Sequence, residues 1–275
     1  MRNTILIIQL CLAAVLFSLP GITVADELTT GEVIAKAREY LGGDEKLESI
    51  STILYKGVFE SPISGNSGYI SILLKKPLMQ RMEVLNGSVT EITAINDFEG
   101  WKRSVDNTNP NDWSFVILNL SELKRMRANT WENLNFFTGI EHLMGRVINK
   151  GPTHKDGRKA YLLIFEYDKG LYYERYFDIE TGELISTINN NGVEIKEVGE
   201  IMVDGVRFPE KVITLVDGEV ANIVTFVDVL LNEEMDESLF DVPSMYPGSL
   251  LPVRESEAAD SEEQRLEDES EEAMP

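Results

Sequence analysis

From Arg158 to Leu231 the chain is a succession of short runs rich in Val, Ile, Tyr, Phe and Thr. The punctuation is Asp156-Gly157, Asp168-Lys169-Gly170, Thr181-Gly182, Asn191-Gly192, Asp204-Gly205 and Asp217-Gly218. These residue types tolerate the positive φ angles of tight hairpins, so the pattern predicts consecutive antiparallel strands. The turns recur about every ten to thirteen residues, too closely for parallel strands, whose crossovers take a dozen or more residues each. One large curved sheet or a sandwich fits this spacing.

The first half carries a different rhythm. Between Thr30 and Ile50, apolar positions Val33, Ile34, Ala37, Tyr40 and Leu41 keep helical spacing behind a Thr cap and stop at Gly42-Gly43, which predicts a helix. Asp44 to Leu47 starts a second short turn. Five strands are expected next: Thr52 to Glu60, Tyr69 to Lys75, Leu78 to Leu85, Thr90 to Ile95 and Trp101 to Val105. In the middle three, Ile70, Ile72 and Leu74, then Met82 and Val84, then Ile92 and Ala94 are read onto one dry face. Ser71, Lys75, Arg81, Glu83, Glu91 and Thr93 fall on the wet one. From Asn111 to Met144 helical spacing returns through Trp113, Val116, Leu120, Leu123 and Met126, and a second cluster follows at Leu134, Phe137, Ile140 and His142 to Met144. This predicts two helices joined around Asn129-Thr130 and packed onto the dry face, before strands resume at Arg146.

Charge and composition narrow the setting. Met1-Arg2-Asn3 leads into an apolar run from Ile5 to Leu19, then Pro20-Gly21 and Thr23-Val24-Ala25, the pattern of a secretory signal peptide over residues 1–25. The run is short for a membrane span and has no basic stop-transfer flank, so a soluble periplasmic chain is expected after cleavage. The single cysteine, Cys11, lies inside this segment, which removes disulfides, thiol catalysis and Cys-based zinc sites from the mature chain. Residues 26–253 are enough for one β-rich domain, with no Pro/Ser/Gly linker to divide them. Residues 254–275 carry Glu or Asp at ten positions against Arg254 and Arg265, a disordered acidic tail by composition. Loss of Arg2 takes the formal charge from −22 to −23, which argues against nucleic acid and anionic membrane surfaces as partners.

Several segments, in order and spacing, resemble the LolA-like family of periplasmic lipoprotein carriers, the outer-membrane lipoprotein-sorting proteins and their relatives. They are Tyr40-Leu41-Gly42-Gly43, Leu47-Glu48-Ser49-Ile50, the Lys75-Lys76-Pro77 junction with Arg81 and Glu83, and Ala94 through Gly100-Trp101. Later come the helical interruption, Met202 to Pro209, and the terminal segment Asn232 to Pro243 with Asp236-Glu237-Ser238-Leu239-Phe240. The resemblance implies an α+β fold: a strongly curved antiparallel sheet, a half-open barrel of about eleven strands, with helices packed in its concave face. It also implies a hydrophobic cavity for lipid or lipoprotein acyl chains, with exchange partners such as an envelope transporter or an outer-membrane receptor, and no cofactor. On that reading Ile70, Ile72, Leu74, Met82, Val84, Ile92 and Trp101 line the sheet side, and Trp113, Leu120, Phe137 and Met144 come from the helical lid. Lipoprotein carriers place a basic residue, usually Arg, before the junction proline to pin the lid. Here it is Lys76, whose ammonium lacks the planar fork of a guanidinium.

Nothing in the sequence calls for catalysis. His142 and His154 have no metal-ligand spacing, and paired carboxylates such as Glu174 with Asp178 fit a solvated face better than glycosidase chemistry. A non-enzymatic, monomeric carrier without metal is the expectation. The alternative is an envelope regulatory or assembly module that uses the same scaffold to sense lipid or dock a protein.

Overall fold

The computed structural model of the chain describes residues 27–243. The expected leader and acidic tail lie outside the described residues. The described chain opens with α1 (Thr30–Leu41), whose Thr29 N-cap and Glu32 form a reciprocal capping box, and Gly42 ends it at φ 142°. Gly42 is required twice over, because a Cβ there would sit 2.5 Å from Gly205 O of a facing turn. A second short helix, α2 (Asp44–Ser49), follows.

Six strands then run as a meander: β1 (Thr52–Ser61), β2 (Asn66–Lys75), β3 (Met79–Asn86), β4 (Val89–Asn96), β5 (Glu99–Asp106) and β6 (Asn109–Ile117). The sixth replaces the start of the expected helical pair. Its Trp113 and Val116, three apart, would share one face of a helix but lie on opposite faces of this edge strand, which exposes both, and the strand pairs with β5 from Trp101 opposite Ile117 to Val105 opposite Trp113. The helix begins only at the next capping box, Asn119 with Glu122, and α3 (Leu120–Asn135) continues through Asn129 and Thr130, where a joint was expected. It stops because Phe136 and Phe137 adopt positive φ angles of 47° and 72°. The expected second helix is reduced to a 3-10 turn, Ile140–Leu143.

Nine further strands follow: β7 (Arg146–Lys155), β8 (Arg158–Asp168), β9 (Leu171–Asp178), β10 (Leu184–Asn189), β11 (Glu194–Val198), β12 (Ile201–Val203), β13 (Val206–Phe208), β14 (Lys211–Val216) and β15 (Glu219–Leu231). All six sequence turn signals fall between strands. At Asp156-Gly157, Asp204-Gly205 and Asp217-Gly218 both residues have positive φ, as a two-residue hairpin of the right twist demands. Thirteen strands form one antiparallel sheet in the order β6-β5-β4-β3-β2-β1-β15-β14-β11-β10-β9-β8-β7, and β12 and β13 form a separate ribbon. The sheet is a curved, half-open barrel with β6 and β7 as its free edges, and α1 and α3 lie in its concave side.

Register decides which residues face those helices. Leu74 lies opposite Ile53 and Gln80, Ile72 opposite Tyr55 and Met82, and Ile70 opposite Gly57 and Val84, so these share the concave face. The β3–β4 hairpin pairs Asn86 with Val89, which sets Val84 against Glu91 and Glu83 against Ile92. Ile92 and Ala94 therefore face the convex side, opposite to the single dry face expected for them. Trp101, opposite Ala94, goes with them. These three are nonetheless buried, because the C-terminal segment from Asn232 to Pro243 crosses the convex side. Lys75 pairs with Glu237 at 2.8 Å, Arg81 donates to Leu239 O, Trp101 Nε1 donates to Phe240 O, and Asn96 donates to Asp241. Both faces of β2 to β5 are thus dry in part, which is why strand alternation alone misassigned one of them.

Phe240 anchors this segment at 1% exposure. Replacing it by Ala should lower stability by about 3–5 kcal/mol, the usual cost of emptying a fully buried aromatic site. Urea unfolding reads this directly, and a loss under ~1 kcal/mol would mean that the segment does not hold the convex face.

Candidate functional site

The concave face and the two long helices enclose a cavity of about 380 Å3. Its sheet wall comes from Tyr55, Ile72, Leu74, Val212, Val224 and Phe226. The helical side gives Ala37, Tyr40 and Leu41 from α1, with Phe136 and Phe137 from the end of α3. Large side chains from strands far apart in sequence meet here because β15 returns to pair with β1, from Ile53 opposite Leu231 to Glu60 opposite Ile223. A bulge at Lys56/Gly57 interrupts that pairing, and a Cβ on Gly57 would lie 2.3 Å from Thr225 O, so the two strands approach closely only with glycine there.

The wall is not uniformly apolar. Arg175 of β9 and Glu132 of α3 form a buried ion pair inside it. The guanidinium also lies over three rings, 4.6 Å from Phe165, 5.3 Å from Phe137 and 5.7 Å from Tyr173. Burial pushes the Glu132 carboxyl up, against the charge and hydrogen bond of Arg175. Glu197 of β11 faces the same cavity, since it lies opposite Val212 and Val212 lies opposite Val224. Its side chain is exposed at the cavity mouth, where neighbouring protein pushes its carboxyl up and Arg175 pulls it back. Asn129 accepts a hydrogen bond from Tyr173 Oη at 2.6 Å, and Gln80 Oε1 lies 2.8 Å from Thr130 Oγ1, so polar groups also tie α3 to the sheet.

Of the residues expected to line a cavity, Ile72, Leu74 and Phe137 do so. Ile70, Met82 and Val84 share the concave face beside it. The others are placed elsewhere, for local reasons. Ile92 and Trp101 face the convex side by register. Trp113 is 40% exposed on edge strand β6, on the same face as Val105 and so away from the cavity. Leu120 is the first residue of α3 and 67% exposed, and Met144, in a left-handed turn after the 3-10 segment, is 94% exposed. Met144 borders a separate charged hollow of about 460 Å3, crossed by the ion pairs Lys124–Asp168 and Arg146–Glu166.

Lys76 does not reach α3. Its ammonium is 3.4 Å from Glu48 O of α2, and burial pushes its pKa down while Glu48 pulls it up and Arg38 adds to the fall. The group that holds the end of α3 is Arg38 of α1. Its Nη1 donates at 3.1 Å to both Asn135 O and Phe136 O, and its Nε pairs with Asp44. A buried cation on the last carbonyls of α3 satisfies acceptors that the helix itself leaves open. Arg38 is visible in the sequence as a basic residue in the last turn of α1, but nothing local marks a partner ninety-seven positions away.

The Glu132–Arg175 pair yields a two-step expectation. Glu132→Leu alone leaves a buried guanidinium without its carboxylate and should cost about 3–5 kcal/mol. Glu132→Leu with Arg175→Met should recover most of that loss in the same urea titration. Additive losses in the double variant would show that the two charges act independently.

No family model matches the sequence, and no curated protein matches it either. Solved structures do resemble it. A LolA superfamily protein from Nitrosomonas europaea superposes with a TM-score of 0.53 at 14% identity, covering 78% of this chain and 98% of that one. A DUF1329 family protein from Desulfovibrio piger and an outer membrane lipoprotein-sorting protein domain from Vibrio parahaemolyticus each reach a TM-score of 0.50, at 7% and 9% identity, covering 76% of this chain and 95% of theirs. At these identities the likeness is one of architecture. The chain has the LolA-like fold, a half-open antiparallel barrel with helices in its concave face.

Proposed function

We propose that this protein is an exported, non-enzymatic carrier that shelters a lipid or lipoprotein acyl chain in the cavity between its sheet and its helices. The observation that carries the reading is the cavity itself: an aromatic and aliphatic wall supplied by both halves of the sheet and closed by Phe136 and Phe137. Such a wall offers burial worth roughly 25 cal/mol per Å2 to a chain that makes no hydrogen bonds. At ~30 Å3 per water-sized group, the volume of about 380 Å3 holds about a dozen such groups, the bulk of one medium-length acyl chain. The leader expected at residues 1–25 agrees with work in the periplasm, where an acyl chain in transit between membranes needs such shelter. Arg38 fits the same function, since it fixes the end of α3 that carries the closing phenylalanines.

A second reading has its own observation. Edge strand β6 exposes Trp113, Val116 and Ile117 next to unpaired backbone, a surface on which an extended polypeptide can add a strand. A docking module would use that edge.

The two readings separate in a ligand series. With delipidated protein, affinity for straight-chain alcohols should rise about fourfold per added methylene, corresponding to ~0.8 kcal/mol each, and level off near the dozen carbons that fill the cavity. Displacement of a fluorescent apolar probe measures this. Ile72→Trp, which fills the cavity, should abolish it. Affinity that is flat with chain length, or unchanged by Ile72→Trp, would remove the carrier reading and leave the docking one.

A further inference from the structure

Five charged side chains line the cavity: Glu132, Glu183 and Glu197, with Arg175 and Arg207. Four of them are matched. Glu132 holds Arg175, Glu183 accepts from Arg158 at 2.7 Å, and Arg207 pairs with Glu200. Glu197 has no hydrogen-bond or ion-pair partner among the described residues. The only cation whose charge acts on it appreciably is Arg175, already engaged by Glu132 and by three aromatic rings. The cavity therefore presents one unmatched negative charge, and although Arg175 keeps a buried Nε without a partner, its charge is matched by Glu132.

We propose that Glu197 selects the head group of the ligand, so that the cavity takes a single-chain amphiphile with an ammonium head and disfavours one that ends in a carboxylate. This rests on the acyl-binding reading of the cavity. A carboxylate entering here meets Glu197 while the charge of Arg175 is matched by Glu132 and that of Arg207 by Glu200, and like charges held close repel. An ammonium brings three donors to a carboxylate that has no partner of its own and offsets its charge. The position of Glu197 suits this role. It stands on the sheet wall opposite Val212, beside the apolar surface of Val224 and Phe226, so that a chain lying along that surface brings its head within reach.

The test compares three ligands of one chain length, dodecylammonium, dodecanol and dodecanoate, each below its self-association concentration at low salt. Each displaces the neutral probe N-phenyl-1-naphthylamine from the delipidated full chain. Dodecylammonium should displace the probe at a concentration about tenfold or more below that of dodecanoate, with dodecanol between, as a charge-assisted hydrogen bond of ordinary strength requires. Glu197→Gln should close most of that gap and leave dodecanol where it was. Glu99→Gln, at an exposed carboxylate at the start of β5, should leave the gap intact despite the acidic surface. Dodecanoate binding as tightly as dodecylammonium overturns the proposal. So does a gap that survives Glu197→Gln, or one that Glu99→Gln narrows as much. Failure of dodecanol itself to displace the probe is a different result, because it removes the acyl-binding reading and this inference with it.

Discussion

The pairing of the last strand with the first is the constraint on which the molecule depends. Without β15 against β1 there would be two separate meanders, β1 to β6 and β7 to β11 with β14, each with an unprotected dry face. Joining strands about one hundred and seventy residues apart is entropically costly, and that cost grows only slowly with loop length, so extensive apolar burial can offset it. The two principal buried clusters show where that burial lies. One packs β8 and β9 against α1 and Ala128 of α3. The other gathers Ile53, Tyr55, Leu74, Phe226 and Val229 around the β1–β15 junction, with Leu134 and Phe136 from the end of α3. The cavity sits between these clusters, so the same junction that closes the fold also creates its interior space.

Polar chemistry inside that space has a structural role as well as a selective one. A cavity wall made only of aliphatic groups would let α3 slide along the sheet, because dispersion contacts have little directional preference. The Glu132–Arg175 pair, Tyr173 with Asn129, and Gln80 with Thr130 fix its register at three points. Arg38 fixes its end. Such groups seldom add much net stability, and their value lies in defining one arrangement among several of similar apolar burial.

Much of this was legible in the sequence, within limits that have physical causes. Turn residues state their own backbone needs, so Asp-Gly pairs marked hairpins correctly, and a Thr cap and Gly42-Gly43 marked the ends of the first helix. The face on which a residue sits is another matter, because it depends on hairpin loop length as well as on alternation. The two-residue loop after Asn86 moved Ile92 and Ala94 to the convex side, where a later segment covers them. Trp113 and Val116 misled because an edge strand can expose apolar residues on both faces, which mimics the three-residue spacing of a helix. Nothing local in the sequence singles out Glu132, Arg175 or Glu197. Their importance comes from neighbours supplied by distant strands, and no local pattern carries that information.

The two free edges of the sheet differ in a way that bears on valency. Strand β7 is interrupted by a bulge between Asn149 and Pro152 and carries Arg146, Lys150 and Lys155, features that discourage another strand from adding to it. Strand β6, over Trp113 to Ile117, has neither lysine nor proline. A molecule with one receptive edge can join once, and the joined object then offers only the two unreceptive β7 edges. If a second copy adds at β6, growth by that route stops at the pair, where two receptive edges would make a filament.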